Sequence, residues 1–185
     1  MLLTGNDAAL NQEAQMLKRS GNFYGACAIY DELIGRISDN SDLYYNLAKV
    51  YSSMGRPEYA LPNYMCSLHI DLIDFEKTIT EPFFDLILDY TVSIDCYEKK
   101  ILFHQGFANT VSNIGKMASG LYDPSDYQKA ATADSLEYGK LIDLNSLEDS
   151  IHIRSGIQYA FEKLNWTSIQ NGDKDRHLLD KYWEK

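Results

Sequence analysis

GRPEYALPNY, residues 55–64, and GNFYGACAIY, residues 21–30, share one spacing: Gly, four residues, Ala, three residues, Tyr. Their starts lie 34 residues apart. Aligning residues 7–40 with residues 41–74 extends the match. Ala14 falls on Ala48, Leu17 on Tyr51, Gly21 on Gly55, Ala26 on Ala60 and Tyr30 on Tyr64. Small residues meet small ones, a large apolar residue meets an aromatic, and the remaining positions vary. Self-similarity at such a period marks a supersecondary unit that buries its apolar face by stacking on a copy of itself.

Helical geometry accounts for the fixed positions. Tyr44, Leu47, Ala48 and Tyr51 stand at i, i+3, i+4 and i+7, one apolar stripe of a helix. Gly55 follows, where a residue of positive φ ends a helix at least cost. Pro57 suits the first turn of the next helix, where its missing N–H costs nothing. Ala60 is expected where that helix crosses the first at Ala48, with Tyr64 filling the space one turn on. The earlier unit runs through Ala14, Leu17, Gly21, Ala26 and Tyr30 in the same way.

These residues resemble the tetratricopeptide-repeat (TPR) family over residues 7–72. Tyr44, Leu47, Ala48, Tyr51, Gly55, Ala60 and Tyr64 follow the family pattern with conservative changes, and Ser67 takes its second Ala position. The first unit departs further, with Leu10, Glu13 and Leu33 at consensus positions, and the closing Pro is replaced by Ser38 and Leu72. Pro62 is unusual, because a proline inside a helix removes a backbone bond. The resemblance implies an all-α fold, a right-handed stack of antiparallel helix pairs with additional C-terminal helices.

Two repeats leave an open apolar face, so the remaining residues are expected to cover it within a single helical domain, 1–185. Residues 7–74 form the two repeats and residues 75–114 a degenerate helical pair. In that pair Phe83, Leu86, Ile87 and Tyr90 repeat the spacing of Tyr44 to Tyr51 within residues 80–110, after an insertion at 75–79. Residues 115–185 form a helical extension with a capping helix. GKMASGLYDP, 115–124, reads as a long loop, and Asp123 with Pro124 opens a helix expected to reach about Leu141. Asn145 or Ser146 caps a further helix whose apolar face is Leu147, Ile151, Ile157, Tyr159, Ala160 and Leu164. TSIQNGDKD is a polar break before a short helix carrying Leu178, Leu179, Tyr182 and Trp183.

Composition narrows the function classes. Apolar residues make up 45% and charged residues 24%, an ordinary globular balance. The net charge of −10 comes without a Lys/Arg cluster, so the footprint of a nucleic-acid binder is missing. Cys27, Cys66 and Cys96 are odd in number and widely spaced, which fits reduced thiols and not a disulfide framework. The start lacks a basic signal-peptide region, and the longest apolar run, FFDLIL, is broken by Asp85. A cytoplasmic protein with no membrane partner is the expectation. His69, His104, His152 and His177 stand in no zinc motif, and no nucleophile elbow, phosphate loop or dinucleotide fingerprint occurs. Neither catalysis nor a cofactor is expected. His69 with Asp71 and Asp74 could be drawn as a ligand set, but reads better as a solvated helix end.

In TPR proteins the first helices of successive repeats line a concave groove for a partner's peptide segment. Carried over by position, the groove residues are Asn11, Gln15, Lys18 and Arg19 in repeat one, and Tyr45, Lys49, Ser52 and Ser53 with Asn46 in repeat two. The subclass that clamps the C-terminal carboxylate of heat-shock chaperones is not matched. Asn46 holds one of its positions, but Asn11 and Gln15 replace the first pair and no basic pair follows in the degenerate third unit. A short acidic chain of this layout is similar in size and composition to small bacterial secretion chaperones. The expectation is a non-enzymatic adaptor with a protein or peptide partner. The alternatives are a small-molecule or catalytic function in residues 80–185, and self-association through an uncapped repeat face.

Overall fold

The computed structural model describes residues 3–76, 105–132, 147–175 and 179–183. Every regular element among them is helical: α1 (Gly5–Arg19), α2 (Phe23–Arg36), α3 (Ser41–Ser53), α4 (Pro57–Glu76), α5 (Gln105–Ala118), α6 (Pro124–Thr132), α7 (Leu147–Lys163), α8 (Trp166–Gln170) and a 3₁₀ turn, Asp180–Trp183. Among the described residues the protein is all-α. No described helix is long and apolar enough to cross a membrane.

The sequence repeat is a repeat of hydrogen bonds. Gly21 and Gly55 have φ of 81° and 72°. At the first turn Gly21 N–H donates to Lys18 O at 3.0 Å and Asn22 N–H to Leu17 O at 2.8 Å. At the second, Gly55 N–H donates to Ser52 O at 3.2 Å and Arg56 N–H to Tyr51 O at 3.0 Å. This pair of bonds is the Schellman closure of a helix, and its left-handed residue is why glycine recurs. The chain therefore forms hairpins α1/α2 and α3/α4, with α2 packed on α3. Ala14, Ala26, Ala48 and Ala60 are all fully buried, as are Tyr30 and Tyr64. Pro57 is the first residue of α4, and the helix continues past Pro62.

The next helices follow a different rule. Most of the expected pair at 75–114 lies outside the described residues, and α5 is the described neighbour of α4. The expected loop at 115–124 is corrected, since α5 runs on to Ala118 and only 119–123 is turn. Gly115 is needed for contact. A Cβ placed there would lie 1.8 Å from the carbonyl oxygen of His152, and one on Gly156 would lie 1.9 Å from that of Val111. Each glycine removes the side chain that would hold α5 and α7 apart, and the crossed pairing 111/156 and 115/152 makes the helices antiparallel.

Ile157 and Ala160 of α7 and Leu164 just after it are buried as expected, but Ile151 is exposed and Ile153 takes its place in the core. The stretch read as a polar break, 167–175, holds all of α8 but its first residue, and Ile169 there is fully buried. Asp123 caps α6 as anticipated, accepting from Ser125 N–H at 2.8 Å; residues 133–146, including the expected extension to Leu141 and the cap at 145–146, lie outside the described residues, as does Cys96.

Two apolar clusters result, and α4 belongs to both. Tyr64, Leu68 and Leu72 meet Val111 and Ile114 of α5, Ile153 and Ile157 of α7, and Ile169 of α8. Cys66 and Ile70 join Leu33 and Ile34 of α2, Leu43 and Leu47 of α3, and Leu179. Cys27 and Cys66 are buried free thiols.

His69 ties residues 165–182 to α4, and it is fully buried rather than at a solvated helix end. Its Nε2 lies 3.0 Å from the carbonyl oxygen of Asp173, so that nitrogen must carry a proton and donate. In the neutral ring Nδ1 is then an acceptor, and it receives the Tyr182 hydroxyl at 2.5 Å. That hydroxyl in turn accepts Asn165 N–H at 3.1 Å. Burial holds the imidazole pKa below its ordinary 6.5, against the smaller opposing effect of the Asp173 carbonyl.

Four variants test these contacts. Gly115→Ala should lower the free energy of unfolding by about 2 kcal/mol or more, because backbone must move to admit the methyl. Gly35→Ala, at a helical position with nothing within 4 Å, should raise it by about 0.5–1 kcal/mol. Urea titration of both variants checks the crossing; an unchanged midpoint for Gly115→Ala would show that α5 and α7 do not meet there. For His69, the unfolded chain binds a proton near pH 6.5 while the folded chain still excludes it, so this residue's contribution is full above 6.5 and is lost as pH falls. Burial raises Asp71 to about 6, which has the opposite sign. Subtracting the stability–pH profile of His69→Gln from that of the parent should therefore leave a term that declines below pH 6.5, and a flat difference would refute it. Tyr182→Phe should cost about 1–3 kcal/mol by leaving the ring nitrogen unpaired.

Candidate functional site

α1 and α3 carry the residues that the sequence analysis expects to line a peptide groove. Lys18 and Arg19 lie in the last turn of α1, while Tyr45, Asn46 and Lys49 follow along α3. Spacing i, i+4 sets Tyr45 beneath Lys49, and the ammonium lies 5.3 Å from the ring centroid. Tyr45 also meets Tyr64 edge to face at 5.8 Å, so the ring is braced from α4. Asn11 and Gln15 are half-buried on α1, and Asn11 Oδ1 is shielded from solvent with no hydrogen-bond partner among the described residues.

The three cations form one cluster. Burial brings the Lys49 ammonium down from 10.5 to about 7, with Lys18 and then Arg19 adding repulsion. Burial likewise brings Lys18 to about 8, with Arg19 adding to it. Lys18 is only 5% exposed, so it is not the open surface residue that its sequence position suggested. Its alkyl stem packs, and Arg19 is a neighbour of like sign.

Ser52 departs further from expectation. It is fully buried; its hydroxyl donates to Ala48 O at 2.8 Å and lies 3.2 Å from the Tyr64 hydroxyl. A serine one turn beyond Ala48 can back-bond to that carbonyl, and here the core claims it. Its hydroxyl is therefore turned away from any groove ligand. Ser53 is also buried, but its groups reach α6.

The part of this face nearest the end of α3 is covered by the chain itself. Ser53 Oγ, which donates to Lys49 O at 2.9 Å, also lies 3.3 Å from Tyr127 O, and Gln128 Nε2 donates to Ser53 O at 2.9 Å. The Tyr122 hydroxyl donates to the carbonyl oxygen of Ser52, and the Tyr122 and Tyr127 rings lie 5.4 Å apart. The Tyr127 hydroxyl reaches Asn113 Oδ1 of α5 at 2.8 Å. α6 thus spans from α3 to α5 and also touches α1. Sequence reasoning missed Tyr122, Tyr127 and Gln128. The capped start at Asp123–Pro124 announces a helix, but no local signal says where a nine-residue helix will dock.

A second cleft, of 360 Å³, lies beside α6 and is lined in part by Lys116, Asp123, Asp126 and His152. Asp123 is committed to capping and Asp126 approaches Lys129 at 3.9 Å. Among the described residues no group of three or more His, Cys, Asp or Glu could hold a metal ion. Comparison with protein-family models, curated proteins and solved structures gives no match for the chain.

The electrostatics can be read directly by NMR of the lysine ε-methylenes. Lys49 should titrate near 7 and Lys18 near 8, and Arg19→Gln should raise both by removing a like charge. Between these values and 10.5 the unfolded chain holds more protons than the folded one, so the lysine contribution to stability should improve as pH rises from 7 to 10. Two lysines titrating at 10.5 would show that the cluster is not assembled.

Proposed function

We propose that this protein is a non-enzymatic adaptor of the TPR type, whose α1–α3 face binds a helical, acidic segment of another protein. The observation that carries this reading is α6. A short helix of the chain itself rests on the face, held by the Ser53 and Gln128 bonds and by Tyr122. A surface that takes one helix in this manner suits helix-in-groove recognition.

The chemistry of the neighbouring part of the face supports an acidic partner. Lys18, Arg19 and Lys49 repel one another across α1 and α3. A carboxylate placed there relieves that repulsion, and the Tyr45 ring offers an aromatic platform beside it. The buried alanines and the paired glycine turns, one period of 34 residues apart, are what support placing the hairpins in the TPR class.

A small-molecule or catalytic role for the later half is the second reading, and the cleft beside His152 is its seat. Against it stands the apolar core that α4 shares with α5, α7 and α8, which makes the later helices a continuation of the stack. Polar groups of that cleft are also engaged, Tyr127 with Asn113 and Asp123 with the Ser125 N–H.

Recovery of partners from native extract tests the proposal. The Tyr45→Ala plus Lys49→Glu variant should retain its helical circular dichroism and lose the proteins that the parent recovers. Recovered segments should be acidic, and their affinity should fall as pH rises past 7 to 8, because binding draws protons onto Lys49 and Lys18. Unchanged recovery by a folded variant would eliminate this face as the site.

A further inference from the structure

α6 is attached unlike the helices around it. None of residues 124–130 is buried, and among the described residues neither apolar cluster contains a residue of α6. By contrast α1 to α5, α7 and α8 each supply at least one buried residue to those clusters. The apolar part of the attachment is the half-buried rings of Tyr122 and Tyr127.

What joins α6 to α3 is polar. α3 ends at Ser53, and the last carbonyls of a helix lack partners within it. Gln128 Nε2 donates to the Ser53 carbonyl at 2.9 Å, and the Tyr122 hydroxyl, just ahead of α6, donates to that of Ser52. The Ser52 carbonyl also receives Gly55 N–H at 3.2 Å, so it keeps a partner when Tyr122 leaves. On the opposite side the Tyr127 hydroxyl reaches Asn113 Oδ1, beside the 360 Å³ cleft that separates α6 from His152 of α7.

A hydrogen bond exchanged for water changes the free energy little, whereas apolar burial changes it greatly. Detaching α6 therefore leaves both cores whole and exposes little apolar surface, which places it at the low end of local opening free energies. A nine-residue helix is not stable alone in water, so detachment also melts it. The segment that leaves lies over the groove residues. Burial raises the Tyr64 hydroxyl well above its ordinary 10, and Tyr127 and then Tyr45 add to that rise. Tyr45 meets Tyr64 edge to face, so the α6 tyrosine and the aromatic platform of the groove converge on one side chain.

We propose that α6 is an internal stand-in for the partner: it detaches as a unit with both cores intact, and the partner's helix takes its place over Tyr45 and the carbonyls of Ser52 and Ser53. This rests on the reading of the α1–α3 face as the partner site. The closed form is autoinhibited, and apparent partner affinity is reduced by the fraction of molecules that are open. A segment that replaces α6 brings N–H or O–H donors for the two carbonyls as well as acidic groups for Lys18, Arg19 and Lys49.

Hydrogen exchange of the full chain, read by mass spectrometry, tests the device without a partner. Amides 128–132 should exchange roughly a hundredfold faster than the buried amides of α4, at a rate that dilute urea hardly changes. Tyr122→Phe and Gln128→Ala should each speed exchange in α6 roughly fivefold and leave α4 unaltered. Tyr122 lies outside the helix, so its effect on those amides reports detachment and not fraying. Exchange of α6 and α4 at one rate with one urea dependence, or variants that speed both alike, would overturn the proposal. The second arm uses proteins that the parent recovers through Tyr45 and Lys49, purified and titrated by calorimetry. Their affinity should rise in each variant by the same factor as its α6 exchange. Affinity unchanged or lowered makes α6 a fixed wall of the groove, which sinks the stand-in and leaves the face as the partner site. Recovery of no such protein instead refutes the reading of the face, and the exchange of occupants with it, even where α6 opens alone.

Discussion

The structure depends on α4 being enclosed from two directions. Most of its residues from Ala60 to Ile73 are buried, so it lacks the polar stripe of a surface helix. One side completes the core begun by the first hairpin, and the other starts the core that α5, α7 and α8 finish. A helix in that position cannot leave polar groups to water. Asn63 turns its amide back to Tyr59 O, Tyr64 finds the Ser52 hydroxyl, and His69 bonds through both ring nitrogens. Those internal bonds fix α4 in rotation, and thereby the lateral positions of α3 and the 3₁₀ turn.

α3 inherits that fixed setting and divides its residues between two surfaces. Tyr45 and Lys49 belong to the face shared with α1, whereas Tyr44, Leu47 and Tyr51 belong to a cleft shared with α2 and α4. Adjacent residues of a helix point about 100° apart, so a single turn can serve both. The two surfaces also differ in charge. Lys18, Arg19 and Lys49 gather on the first, while Asp31 and Asp180 border the second. In a chain with a net charge of −10, three of the 17 basic residues thus meet on one surface, and two of the 27 acidic residues border the other.

What could be read in advance was whatever repeats. The alanines, the glycine turns and the paired Tyr30 and Tyr64 were legible because one geometry demands the same residue twice. Gly115 was not, because glycine after an apolar stretch ordinarily signals a turn, and its reason for being there is the His152 carbonyl on another helix. Ser52 and Lys18 misled for a related reason. Small hydroxyl and long cationic residues are usually solvated, and only packing from α4 and α3 shows that these are not. His69 carried a clue, standing within the apolar run from Met65 to Ile73. The docking of α6 left no clue, since it depends on bonds between Ser53 and residues 127–128 that any surface serine and glutamine could make.

Leu179 fills a space among Ile34, Leu47 and Cys66, and its carbonyl receives the Cys66 thiol across 113 residues of sequence. During synthesis the first two hairpins leave the ribosome long before that plug is made. Until it arrives, the nascent hairpins hold a notch open at the junction of α2 and α4, and loop closure over so long a span is a slow step. The assembly of the N-terminal core thereby waits on a residue made 113 positions after Cys66, and a ribosome stalled before residue 179 would display an unfinished hydrophobic surface to chaperones.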